Sequence, residues 1–510
     1  MKIKSSIISI IAVVFLSVSY SFSATYYVKN GGNDALSGID DANAWETIAK
    51  VITGSTSGDT VYFKSTSTWT GAAPVLSAEA GVTYIGNIYG GTSTRAILRA
   101  TSIPDAFQAV VAVSASDQAN PVSFVGFEVD GNGQSCGGIY VSNYYSSVDV
   151  SYVTIDDCLV YDVGVVDAWV YGISLSPMMG YSLSNVTLTD TTVHDTVREG
   201  IVIYPGWSQA ANQCDNITVS RCTVYNAGTT NPSFGIGIQV KGDADEVIID
   251  HCYIHNNASH GIAIETDASY PADIPGNQTI RYNLVYDNNG TGIVFNNPAN
   301  TQYGDSSIYG NIVFNNKRGA GGFGGELIVS GNNYGSMALN IYQNTFYSTE
   351  SLADGPLAVH LGSDLTHGVL GTPTIRFKNN IVYTDSYACI NDPVDILSGN
   401  HSDNLVFRAS ADTDDHVLIG ATTYDRDGTA SDLTNWEATA LKVDPLLVSP
   451  TTNFHLQFAS TAKAAGTNLG SPYNVDYDGR TLPTSYGYPI GAYGYYTGSS
   501  FECTMGGTMQ

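Results

Sequence analysis

Within residues 198–267 of a chain otherwise poor in charge stand Arg198, Glu199, Tyr204, Gln239, Lys241, Asp243, Asp245, His260, Glu265 and Asp267, with Trp207 in the same stretch and Trp169 and Tyr171 before it. Two carboxylates such as Glu199 and Glu265 would serve hydrolysis of a glycosidic bond. A lysine or histidine near an arginine would remove a proton beside a carboxylate and neutralise the charge that develops. Asp243, Asp245 and Asp267 offer hard oxygen ligands of the kind that hold calcium. Sugar rings have apolar faces that stack on aromatics, and their hydroxyls suit Asn, Gln, Asp and Glu.

What must position these groups is a repeat. Cys158, Cys222 and Cys252 occupy one local frame, in IDDCLVYD, VSRCTVYN and IDHCYIHN, and Thr191 occupies it in LTDTTVHD. Asn283, Asn311, Asn344, Asn380 and Asn404 continue it, at intervals of 24 to 36 residues from Cys158 onward. An apolar residue lies three positions before each of these up to Asn380, and another lies two positions after, as in Ile155 and Val160 around Cys158. A Gly-apolar-x-apolar segment follows, as in Gly172–Leu175, Gly200–Ile203, Gly261–Ile264 and Gly292–Phe295. Alternation of period two in such short runs is a strand signal, and a fixed period of about 30 residues is the mark of a solenoid. One coil cannot bury its apolar face alone, whereas stacked coils share one core. The frame residues then stack as an inward ladder, with asparagine amides bonding along the axis. The cysteines fit as small buried apolar groups, reduced because parallel stacking is poor geometry for a disulfide.

The composition agrees. Among 510 residues there are 53 glycines and 34 tyrosines, with 43% hydrophobic residues and a formal net charge of −27. That acidity excludes a nucleic-acid binder. Lys2 and Lys4, the apolar run Ile7–Val18 and Ser21-Phe22-Ser23 before Ala24 form a signal peptide over residues 1–23, so the mature chain is expected to be secreted, extracellular or periplasmic. No later stretch is apolar enough to span a membrane.

The expected architecture is all-β, a single-stranded parallel β-helix. Residues 24–104 are expected to form an N-terminal cap and first coils, 105–410 the repeats, and 411–510 a loop-rich C-terminal cap. A capping helix over Asn43–Ile52, started by Asn43 or Asp41 and burying Trp45, should plug the first coil. Asp476-Tyr477-Asp478-Gly479 lacks the spacing of an EF-hand and reads as a structural turn. Together with the opening segment ATYYVKNGGNDALSGIDDANAWETIAKV and the closing DPLLVSP, FHLQ, DYDGR and PIGAYGY, the repeats resemble the right-handed parallel β-helix proteins of the pectin-lyase-like superfamily. The resemblance covers nearly all of the mature chain and implies right-handed coils. It leaves the activity open, because such proteins include lyases, hydrolases, epimerases, phage spikes and adhesins.

Coils about 4.8 Å apart put matching positions into outward columns. Anchored on the Gly-apolar segments, Tyr171, Glu199 and His260 share one column. Tyr204, Gln239 and Glu265 share a second, and Lys241 and Asp267 a third. The expected partner is an acidic extracellular polysaccharide lying along one face, cleaved by β-elimination. In that reading Lys241 is the base with His260 as runner-up, Arg198 neutralises the carboxylate, and Asp243, Asp245 and Asp267 hold a bridging calcium. Trp169, Tyr171, Tyr204, Trp207 and Gln239 would contact the sugar. No organic cofactor is implied, and the chain is expected to act as a monomer. An inverting hydrolase using Glu199 and Glu265, whose two-coil offset is about 9.6 Å, is the alternative enzyme. A non-catalytic glycan-binding or adhesive rod is the alternative of another kind.

Overall fold

The computed structural model describes residues 23–495 apart from 92–93, 105–107, 144–145, 147, 166–168, 179, 206–212, 243, 266–275, 297–304, 317–323, 331–337, 350–356, 363–373, 386–387, 410–415, 427–430 and 483–486. Three long parallel sheets run the length of the molecule. Sheet A has 13 strands from Thr25–Val28 to His401–Ser402, and sheet B has 12 from Thr68–Ala72 to Leu405–Arg408. Sheet C starts at Leu76–Ala78, and the antiparallel strand Thr422–Tyr424 closes it at the far end. The chain visits A, B and C in turn, so each coil pairs only with the coil before and after it. This is the expected right-handed parallel β-helix.

The period-two pattern fills the interior. Val153, Val186, Ile217 and Val247 pair in register on sheet A, as do Ile155, Leu188, Val219 and Ile249, and all are buried. A residue at positive φ turns the chain from A to B in each of these four coils and in the next: Asp157, Asp190, Arg221, His251 and Tyr282, at φ of 49–54°. The ladder residue comes next and points inward. Asn283, Asn311, Asn344, Asn380 and Asn404 are fully buried, and each donates Nδ2–H to the Oδ1 of the next at 3.0, 2.9, 3.0 and 3.2 Å. The last rung donates to Glu437, from Asn404 N at 2.7 Å and from Nδ2 at 2.8 Å. The six cysteines among the described residues, Cys158, Cys222 and Cys252 included, are buried and form no disulfide.

A second ladder escaped the sequence reading. Asn257, Asn288 and Asn316 lie five residues after Cys252, Asn283 and Asn311, at the turn from B to C, each again preceded by a positive-φ residue. Their amides bond at 2.9 and 2.8 Å, and Asn316 Nδ2 ends on Glu326 Oε2 at 2.6 Å. Glu326 is fully buried, and burial pushes its carboxyl up to about 8. An unfolded glutamate releases its proton near its ordinary value of about 4.5. The folded state therefore resists ionisation between these values, and this share of stability is lost as pH rises from about 4.5 through 8. Glu326→Gln keeps an acceptor for Asn316 and removes the ionisation. Its denaturation midpoint is expected to fall less than that of the wild type between about pH 5 and 9; parallel profiles would refute this.

Both ends are covered. The helix Ile48–Gly54 starts later than expected: Thr47 is its cap, its side chain accepting from Lys50 N, while Asn43 closes a turn on Asp40. The helix begins only there because Trp45 is still extended, bridged to Val28 and stacked on Tyr26 with ring centroids 4.3 Å apart. At the other end the helix Leu433–Trp436 brings Glu437 under the last rung. Beyond it the chain turns back along the coils, where Phe454 meets Phe314 and Tyr347, and Tyr473 meets Tyr309 and Tyr342. The Asp476–Gly479 segment is the expected structural turn, with Asp476 accepting from Arg480 N at 2.8 Å and from Gly494 N at 3.1 Å.

Candidate active site

The candidate residues gather on the outer face of sheet C, around the strands Ile173–Leu175, Ile201–Ile203, Ile238–Lys241 and Ile262–Glu265. Gly172, Gly200, Gly237 and Gly261 form a column where the chain bends from B into C. A Cβ there would come within 2.4–2.8 Å of the carbonyl oxygen of the next glycine in the column, or of Gly292 at its end. Only glycine lets the coils stack this closely, and the residues just before are thereby set at the corner. They are Tyr171, Glu199, Ile236 and His260.

One column differs from the expected alignment. Gly235-Ile236-Gly237-Ile238 offers two equivalent anchors, and the pairing uses the second. Ile201 and Ile203 pair with Ile238 and Val240, and these with Ile262 and Ile264. Lys241 therefore lies opposite Glu265, with Tyr204 on its other side, and Lys241 Nζ sits 5.6 Å from the Tyr204 ring centre. Gln239 moves back two positions, into the middle of the strand beside Val202 and Ala263, and reaches Glu265 Oε2 with Nε2 at 2.6 Å.

Arg198 and Glu199 form the centre of the site. Both are buried, at 3% and 2% exposure, and Arg198 Nε stands 3.2 Å from Glu199 Oε2 in a geometry that makes an ion pair without a hydrogen bond. Neither atom has a hydrogen-bond partner among the described residues. The guanidinium is held between two rings, 4.3 Å from Trp169 and 4.0 Å from Phe234, with Tyr171 at 5.7 Å. Trp169 and Phe234 keep their outer faces exposed, at 42% and 39%. Burial pushes the Glu199 carboxyl up to about 7, against the pull of Arg198 and, less strongly, Lys241. Tyr171, in the next coil, is raised by burial and then by Glu199, so it keeps its proton. Its backbone N donates to Tyr140 Oη at 3.1 Å, and Tyr140 stands on the outer face one coil further.

Other expected members lie apart. His260 is separated from Glu199 in its column by Ile236, and its Nδ1 accepts from Thr291 N at 3.0 Å. Burial lowers its pKa, so the ring sits neutral as part of the wall. Asp245 stands at the start of a sheet A strand, its Oδ1 accepting from Asn277 Nδ2 and Glu246 N, both at 2.9 Å. Trp207, Asp243 and Asp267 lie outside the described residues, and among the described ones no group of three His, Cys, Asp or Glu could hold a metal. Phe234 and Tyr140 were missed. Both had a signal: Phe234 is an aromatic residue in a B-to-C loop as Trp169 is, and Tyr140 holds the outward position of the Gly-apolar-x-apolar segment Gly138–Val141.

Comparison with known proteins supports the fold. A family model described as a right-handed beta helix region matches residues 128–271 and 208–346. The A-module of an Azotobacter vinelandii mannuronan C-5 epimerase superposes with a TM-score of 0.53 at 14% identity, covering 78% of this chain and 93% of the module. A pectate lyase does so with a TM-score of 0.49 at 17% identity, covering 93% of this chain and 97% of the other. No curated protein matches the sequence. The chain thus has the right-handed parallel β-helix fold, the fold of the matching family model and of the epimerase module. No helix among the described residues is long and apolar enough to cross a membrane.

Proposed function

We propose that this chain is an exported enzyme that cleaves an acidic polysaccharide by β-elimination, with Glu199 as the base. The observation that supports it is a buried carboxylate whose pKa burial pushes up to about 7, paired with Arg198 at 3.2 Å and subject to a weaker pull from the charge of Lys241. Glu199 takes the proton next to the uronate carboxylate. The electrons form the ring double bond, and the bond to the leaving glycosidic oxygen breaks. Arg198 and Lys241 oppose the negative charge that develops on the carboxylate, and Tyr171 supplies the proton to the leaving oxygen.

This exchanges roles within the expected set. Lys241 sits opposite Glu265 with its Nζ 5.6 Å from the Tyr204 ring centre, so it is placed as a cation on the outer face, and the buried Glu199 takes the role of base. The spacing does not favour a hydrolase. Glu199 and Glu265 stand two coils and five strand positions apart, about 19 Å between backbone positions, against about 6.5–9.5 Å between the carboxyls of an inverting pair. The epimerase likeness is one of fold and adds only analogy.

Pectate, alginate and chondroitin, each with and without EDTA, test the reading. The expected product is an unsaturated uronate, seen by its ultraviolet absorbance. Reducing ends without that absorbance would indicate hydrolysis, and binding without product a non-catalytic rod. Loss of product with EDTA would support a need for a divalent cation such as calcium. Lys241→Ala is expected to lower kcat/KM about 100-fold on the responsive polymer, whereas an unchanged value would remove Lys241 from the site.

A further inference from the structure

A groove on sheet A, away from the site on sheet C, has the chemistry of a second carbohydrate site. Tyr152, Asn185, Asn216, Glu246 and Asn277 occur at matching positions in five successive coils, all at φ of 50–58°. Each of the first four follows another outward residue, Ser151, Ser184, Asp215 and Asp245. This is a left-handed bend of the strand, kept in register from coil to coil without a register shift. The bend leaves an open groove of about 300 Å³ lined by Pro121, Tyr152, Thr154, Asn185, Thr187, Asn216 and Thr218. Thr154, Thr187 and Thr218 are paired in register along one wall. On the other, Asn216 Nδ2 donates to Asn185 Oδ1 at 2.7 Å and Asn185 Nδ2 to Ser184 Oγ at 3.1 Å, which fixes the amides. Tyr152 stands at one end with 36% of its surface exposed.

We propose that this groove binds a neutral, extended polysaccharide. Its lining carries hydroxyls, amides and one exposed aromatic ring and no charge, which suits sugar hydroxyls and a sugar face. The coil repeat of about 4.8 Å presents the same groups at steps of the order of one sugar residue. An acidic chain is disfavoured, because the outward columns on either side carry Asp156 and Asp250, and Asp215 and Asp245. The groove would hold the enzyme on a neutral polymer while sheet C acts on an acidic one. This extends the proposed function without depending on Glu199.

Affinity electrophoresis through xylan, hydroxyethylcellulose and glucomannan tests it, with polygalacturonate as the acidic comparison. The wild type and Glu199→Gln are expected to be retarded equally by at least one neutral polymer, with no loss on adding salt. Tyr152→Asn keeps a residue suited to positive φ and removes the ring, and Thr187→Glu places a charge in the groove. Each is expected to weaken retardation about tenfold with an unchanged denaturation midpoint and unchanged cleavage of the acidic polymer. Absence of retardation of the wild type by all three neutral polymers would overturn the proposal, as would full retardation of Thr187→Glu.

Discussion

Glu199→Gln is expected to lower kcat on the responsive acidic polymer by about 10²- to 10⁴-fold, the range for removal of a positioned general base. The wild-type rate should fall as pH drops through about 7, where Glu199 takes up its proton. The same substitution should make the fold more resistant at alkaline pH. The folded pKa lies above the ordinary 4.5, so the ionisable residue lends stability below that value and loses it as pH rises through 7. The size of this effect is on the order of 3 kcal/mol, and glutamine abolishes it. A variant that is inactive yet more stable above pH 7 separates loss of chemistry from loss of structure. Full activity in Glu199→Gln would end the proposed mechanism, and an acid limb far below 7 would assign the base to another group.

Asn344→Ala is expected to be among the most damaging single changes in the solenoid. Asn344 accepts from Asn311 N at 3.0 Å and Nδ2 at 2.9 Å, and donates Nδ2–H to Ile308 O at 2.9 Å and Asn380 Oδ1 at 3.0 Å. Alanine leaves the Asn311 groups without that acceptor in a dry core, at about 1–3 kcal/mol for each group left unsatisfied. A loss of about 3–5 kcal/mol follows, read as a lower denaturant midpoint. A double-mutant cycle with Asn311→Ala should give strong coupling, because the two rungs share the same bonds. Additive losses would mean that the rungs act independently and that the ladder is no cooperative unit.

The solenoid was legible because inward positions are chemically narrow. A rung admits Cys, Thr or Asn and little else, so Cys158 and Asn283 mark the same place despite their different chemistry. The second ladder could have been found by the same rule, since Asn257, Asn288 and Asn316 keep a constant distance of five residues from the first. The site was legible only in part. Outward positions tolerate many residues, and in the Gln239 coil the doublet Gly235/Gly237 allowed two alignments. Only strand pairing chose Gly237, and a slip of two positions was enough to put Gln239 where Lys241 belongs. Arg198 and Glu199 were recognised as candidates, but not the burial of Glu199 or the seating of Arg198 against Trp169 and Phe234. That burial depends on loops whose shape no periodicity encodes, and it is what converts an ordinary glutamate into one that exchanges its proton near neutrality.

The asparagine rungs all point the same way, handing hydrogens from each coil to the next until Glu437 receives the last of them. Its carboxyl oxygens accept both bonds, and it has no amide to carry the row further. A coil appended beyond Glu437 would find no donor from which to continue the row, and the helix that carries Glu437 occupies its place. The molecule thus has a direction and a built-in terminus. In evolution such a rod can lengthen by duplicating an interior coil, whose rung both gives and receives, whereas a coil added at the finished end would have to displace the residue that ends the row.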